Sequence, residues 1–291
     1  MRKILLLAIT LCAFTFLRSQ EQIIFRSKAL KCNDTVLVFT PKTVDKKCCG
    51  SETECHSKGS CCAGEKTCES KPLLFLLHGW SGNYSNWSKK TDLQAVADRS
   101  GFIIVTPDGF YNSWYLNNTD TAKMQWRTFF HNELYPAIKE KYKADPARTF
   151  ITGLSMGGHG ALNIYMDDTS KFAAAGSMSG VLNLQETKLK NDQIAQILGP
   201  WSETNSRYDT ESAVNRIERL KGTRKIVLIT SGAQDVYSKS AVDFHNRAEE
   251  LKVPNILILS PGVHSWKYWI YALDEHLRIF RQILEGTNMG Y

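Results

Sequence analysis

Short aliphatic runs recur along this chain, and each is separated from the next by a longer amphipathic stretch. A mostly parallel sheet covered by helices has this alternation, because parallel neighbours need crossover connections of helix length. The runs predict strands at Thr35–Thr40, Leu73–Leu77, Ile103–Thr106, Phe150–Thr152, Ala173–Ser177, Lys225–Thr230 and Ile256–Ser260. Four of them are nearly continuous in aliphatic residues, as strands buried on both faces are. Helical patterns fall near Asp92–Arg99, Phe129–Tyr142, Gly158–Asp167, Ser240–Leu251 and Trp266–Leu284. Asn183–Arg219 is polar and weakly patterned, and reads as connecting structure in preference to a lid or side lobe. Pro107, Gly109, Gly232, Pro261 and Gly262 punctuate the loops just after strands, where ligands of open α/β sheets bind.

The amino terminus sets the compartment. Arg2 and Lys3 precede an apolar run from Ile4 to Leu17, well short of the ~20 residues that span a bilayer. Residues 1–19 therefore read as a secretory signal, with an uncleaved anchor as the alternative. Residues 20–291 are expected to form one α/β domain with a secreted, extracellular or periplasmic location. The formal charge of +7 includes Arg2, Lys3 and Arg18, which leave with the signal, and no basic run of five or more remains. No nucleic-acid partner is expected on that ground, nor a membrane span in the mature chain.

The chemistry is concentrated in Gly153-Leu154-Ser155-Met156-Gly157, a G-x-S-x-G sequence followed by Gly158. It sits between the strand Phe150–Thr152 and a helical pattern, the setting in which a serine is held on a strained strand-to-helix turn. A serine nucleophile needs a general base and an acid to orient that base, in chain order Ser, Asp or Glu, His. Two later loops supply them: Ser231-Gly232-Ala233-Gln234-Asp235 after one strand, and Pro261-Gly262-Val263-His264 after the next. Asp235 and His264 are the expected acid and base. His131, His245 and His276 lie within helical patterns, and His159 is on the helix leaving the elbow, where packing is the commoner role. The amide of Met156 and one from Leu77-His78-Gly79-Trp80, that of Trp80, are the expected donors to a developing oxyanion. His78 is expected to hold that loop in shape. No metal or organic cofactor is required.

These segments, with Leu76-Leu77-His78-Gly79, Pro107-Asp108-Gly109, Ser113-Trp114-Tyr115 and Gly262–Trp269 in this order, resemble the α/β-hydrolase family of tributyrin and feruloyl esterases, S-formylglutathione hydrolases and secreted mycolyltransferases. The resemblance covers roughly Thr35 to Leu284, apart from the cysteine-rich stretch. It implies an α/β-hydrolase fold with little or no cap, a triad of Ser155, Asp235 and His264, and an oxyanion hole at Trp80 and Met156. It also implies substrate contacts at Ser113, Trp114 and Tyr115, and Trp266 stands in the same predicted mouth. Two departures stand out. Members often carry Glu where this chain has Arg127, and the cysteine-rich insertion at about residues 42–71 replaces a short connection.

Cys48, Cys49, Cys55, Cys61, Cys62 and Cys68 crowd into that insertion, and Cys32 precedes it. In an exported chain the expected reading is a disulfide-stapled loop, with one thiol left over; a zinc site is the rival. The insertion enters Leu73–Leu77 at its amino end, so it is expected to lie away from the mouth. Asn33, Asn83, Asn86 and Asn117 begin N-x-S/T sequons. The expected activity is a secreted serine carboxylesterase acting on small or polysaccharide-linked esters, with feruloyl or acetyl esters of plant polysaccharide foremost. An acyltransferase of the same fold and a catalytically silent binding protein are the alternatives.

Overall fold

The computed structural model describes residues 20–42, 70–186 and 192–286. The signal-like segment and six of the seven cysteines of the staple lie outside the described residues; Cys32 is exposed. Eight strands form one sheet: β1 (Gln20–Arg26), β2 (Asn33–Phe39), β3 (Leu73–Leu77), β4 (Ile103–Thr106), β5 (Thr149–Gly153), β6 (Ala174–Met178), β7 (Val227–Gly232) and β8 (Asn255–Ser260). Their order is β1-β2-β4-β3-β5-β6-β7-β8. The pairs β1–β2 and β2–β4 are antiparallel, and all later pairs are parallel. The carboxyl ends of β3 to β8 therefore share one edge, and every loop expected to carry chemistry leaves from it.

Ten α-helices accompany the described strands: α1 (Asn86–Lys90), α2 (Leu93–Ser100), α3 (Trp126–Phe129), α4 (Tyr135–Tyr142), α5 (Met156–Asp167), α6 (Asp192–Leu198), α7 (Arg207–Thr210), α8 (Ala213–Arg216), α9 (Ser238–Glu250) and α10 (Trp266–Leu284). The period-two geometry of β3 explains how they divide. Leu73, Phe75 and Leu77 enter the apolar layer shared with α4, α5 and α9, whereas Leu74 and Leu76 enter the layer shared with α2 and α10. All five β3 residues are buried, which is why that strand reads as an unbroken aliphatic run.

Two strands behave differently from their sequence. The aliphatic run Ile256–Ser260 forms β8, an edge strand with a single neighbour, and Leu259 remains exposed. β1 carries only the short apolar run Ile23–Phe25. As the opposite edge it buries only alternate residues: Ile23 and Phe25 pack on the core while Ile24 faces outward. The helical pattern at Phe129–Tyr142 is interrupted, since Phe130–Leu134 is a π-helical turn joining α3 to α4. The segment after Asn183 contains α6, α7 and α8 and buries Ile194, Ile197, Tyr208, Ala213 and Ile217 in the α5 layer. Its described residues pack on that layer, and Ile197 of α6 also borders the groove beside Ser113. Among the described residues no helix is long and apolar enough to cross a membrane.

Candidate active site

β5 runs into α5 through Leu154 and Ser155. Ser155 has φ 53° and ψ −116°, a backbone conformation that L-residues rarely adopt. Its own amide donates to the Met178 carbonyl at 2.9 Å, and its carbonyl accepts from His159 at 3.1 Å. The glycines of the motif are needed for close approach. A Cβ on Gly157 would lie 2.6 Å from the His78 carbonyl oxygen, and one on Gly153 would lie 2.6 Å from the Gly157 carbonyl carbon. The elbow is thus pressed backbone to backbone against the end of β3.

The loops after β7 and β8 are laced together. Gln234 N–H donates to the Gly262 carbonyl, and Gly262 N–H donates to the Gln234 side chain, both at 3.0 Å. This brings Asp235 beside His264: Nδ1 lies 3.0 and 3.1 Å from the two carboxylate oxygens. An ionised carboxylate only accepts, so Nδ1 carries the proton, and Nε2 accepts from the Ser155 hydroxyl at 2.9 Å. Burial pushes the Asp235 carboxyl upward, but the His264 bond and the Tyr237 amide at 2.9 Å outweigh it and hold its pKa below the ordinary value. Tyr237 and Trp269 flank the His264 ring, with centroids 5.0 and 4.9 Å away.

Met156 is the first residue of α5, so its amide has no acceptor within the helix and points out of the positive end of the helix dipole. Trp80 follows Gly79, where a Cβ would stand 3.5 Å from the Ser155 Cβ. The loop between them is held by His78, as expected. Gly109 N–H donates to its Nε2 at 2.7 Å, leaving Nδ1–H to donate to the Gly79 carbonyl at 2.8 Å. The Tyr115 hydroxyl donates to the His78 carbonyl at 2.8 Å, and the Trp87 indole donates to that of Leu77 at 3.1 Å.

The expected substrate contacts divide. Tyr115 is fully buried, enclosed by Trp126 and His78, and has no surface to offer a ligand; its work is to hold the His78 carbonyl. Trp114 is also buried, edge-on to His159. Both have positive φ, 52° and 57°, and this tight turn drives the two rings inward. Ser113 lines a groove of about 400 Å³ with Phe110, Met124 and Ile197. Trp266 is half-buried between Trp87 and Trp269. Trp80 and Tyr111 remain 43% and 51% exposed, with ring centroids 5.0 Å apart.

Arg127 does not stand alone. It pairs with Asp167 at 3.2 Å and Glu211 at 2.8 Å, and Arg216 contacts the same Asp167. Burial raises both carboxyls, yet His131, Arg127 and Arg216 at Asp167, and chiefly Arg127 at Glu211, hold them below ordinary values. His159 is a packed core residue, its Nε2 2.9 Å from the Glu211 carbonyl, and burial pushes its pKa down to about 4.

An eight-stranded, mostly parallel sheet with a serine on a strained strand-to-helix turn, bonded to a histidine and through it to an aspartate, defines an α/β-hydrolase. The profile of the family described as "Putative esterase" matches residues 64–280, and the chain belongs to that family. It is a hydrolase of the carboxylic-ester class. An acetyl esterase of Caldicellulosiruptor saccharolyticus is 25% identical over 261 residues, covering 85% of this chain and 92% of that protein. An S-formylglutathione hydrolase of Arabidopsis thaliana is 25% identical over 238 residues, covering 74% and 83%. A ferulic acid esterase structure superposes with a TM-score of 0.70 at 23% identity, covering 91% of this chain and 97% of that one, and shares the fold.

Proposed function

We propose that this chain is an exported serine carboxylesterase that forms an acyl-enzyme on Ser155. The supporting observation is the hydrogen-bonded series itself: Ser155 to His264 at 2.9 Å and His264 to Asp235 at 3.0 Å. His264 takes the hydroxyl proton as Ser155 attacks the ester carbonyl, and Asp235 stabilises the imidazolium that forms. The carbonyl oxygen, now negative, is received by the amides of Trp80 and Met156, a contribution worth ~3 kcal/mol per donor in related geometries. His264 then passes its proton to the departing alcohol. Water, deprotonated by the same imidazole, releases the acid and restores Ser155.

The relatives named for acetyl and ferulic acid esters favour acetyl or feruloyl groups on plant polysaccharide as substrates. The exposed Trp80–Tyr111 pair and the groove beside Ser113 support that reading, since a flat aromatic or sugar ring gains from an aromatic wall at the mouth. Export rests on the basic and apolar start of the chain. Labelling with a fluorophosphonate probe tests the nucleophile: the adduct is expected on the peptide carrying Ser155, and an adduct elsewhere overturns the assignment. Initial rates on methyl ferulate, acetylated xylan and simple alkyl acetates test the substrate. Equal or better rates on the simple esters would remove the polysaccharide reading.

A further inference from the structure

His276 lies on α10, within the stripe of Tyr268, Trp269, Ala272, Leu273, Leu277 and Phe280 that buries this helix against the sheet. It is fully buried in that otherwise apolar setting. An imidazole there loses its hydration, which is unfavourable unless both ring nitrogens find partners. They do. Nδ1 is 2.9 Å from the Thr152 hydroxyl on β5, and Nε2 is 3.1 Å from the Thr230 hydroxyl on β7. Both threonines are buried.

β5 and β7 are not neighbours; β6 runs between them. The ring crosses β6 at Gly176, where a Cβ would stand 2.5 Å from Nδ1 and 2.6 Å from Cε1. Glycine weakens a strand interior and a histidine weakens an apolar core. Each choice makes sense only with the other, because the missing side chain on β6 makes the space through which the imidazole reaches both flanking strands. The sequence positions give the contact its meaning. Thr152 is three residues before Ser155, Thr230 is five residues before Asp235, and α10 begins two residues after His264.

We propose that His276 is a positioning residue that braces the strands leading to Ser155 and Asp235 against the helix that follows His264, and so sets the spacing of the three groups. This rests on the reading of those groups as the catalytic triad. The ring touches no substrate and acts only through Thr152 and Thr230.

The test compares His276→Leu, which fills the space without hydrogen bonds, with His276→Gln, whose amide supplies one donor and one acceptor. Misplacement by ~1 Å can cost ~100-fold in rate. His276→Leu is therefore expected to lower kcat on p-nitrophenyl acetate by ~10- to 100-fold at nearly constant KM, normalised to folded protein, and His276→Gln to recover most of it. Where the leucine variant fails to fold, Thr152→Val and Thr230→Val each remove one end of the brace and are expected to lower kcat in the same way. The downfield NMR resonance of the His264 Nδ1 proton gives a readout that needs no turnover; it should shift or broaden in His276→Leu and return in His276→Gln. Wild-type kcat and an unmoved resonance in folded His276→Leu would overturn the brace. So would a glutamine variant no better than leucine. A wild type that fails to hydrolyse the ester would count against the esterase reading alone, since the resonance still reports on the brace.

Discussion

Replacing Asp34 with asparagine should change how the stability of this protein depends on pH. Asp34 stands on β2, 1% exposed, beside the Pro107–Gly109 turn that supports His78. One carboxyl oxygen accepts from the Asp108 amide at 3.3 Å, and the other has no hydrogen-bond partner among the described residues. Burial, with a smaller push from the Asp108 charge, lifts its pKa from 3.8 to about 8. The folded state thus keeps a proton that the unfolded chain gives up near pH 4. Stability from this group is fully present below that pH and is lost as pH rises to about 8. Each pH unit in this window is worth about 1.4 kcal/mol, so the whole effect is on the order of 5 kcal/mol. Asparagine does not titrate. Urea unfolding of wild type and Asp34→Asn should give a constant difference below pH 4, an increasing advantage for the variant up to about pH 8, and a plateau beyond. Comparing the two proteins at each pH cancels groups they share, including His159, whose depressed pKa removes stability as pH falls below about 6.5. A difference that stays flat from pH 4 to 8 would mean that Asp34 is ionised in the folded protein, and would refute the argument.

Gly157→Ala puts a methyl group against the His78 carbonyl and should lower kcat at least ~100-fold by displacing the His78–Trp80 loop from Ser155, measured on p-nitrophenyl acetate with circular dichroism to confirm folding. Tyr115→Phe removes the donor to that same carbonyl and should cost about 1–2 kcal/mol in urea unfolding, with a lower kcat. Arg127→Met takes one partner from each of Asp167, which keeps Arg216 and Arg219, and Glu211, which keeps Arg207, and should cost about 2–3 kcal/mol at neutral pH. Because both carboxyls are held below their ordinary values, that deficit should shrink as pH falls below about 4, which a pH series of unfolding curves will check.

The chemistry was more legible in the sequence than its support. Ser155, Asp235 and His264 stand in loops announced by glycine and proline just after aliphatic runs, so strand order alone carried them to one edge. The structure brings the three into hydrogen-bonding contact. β1 is not legible in the sequence because an edge strand with one buried face needs only Ile23 and Phe25 on its inner side, too short an alternation to stand out beside Gln20, Glu21 and Gln22. Tyr115 stands among the substrate contacts that the resemblance implies; two successive positive φ values turn it inward, and local sequence carries little sign of that. His276 gave no warning either, as its partners are 124 and 46 residues away. The available hint was Gly176, a glycine inside a predicted strand, which often marks a close approach by another group.

The role of Ser155 as nucleophile is tested most directly by the hydrolysis of short-chain p-nitrophenyl esters by wild type and by folded Ser155→Ala. Wild-type turnover is expected, falling by on the order of 10⁶ in the variant. An inactive wild type, or a variant that retains the wild-type rate, would contradict it.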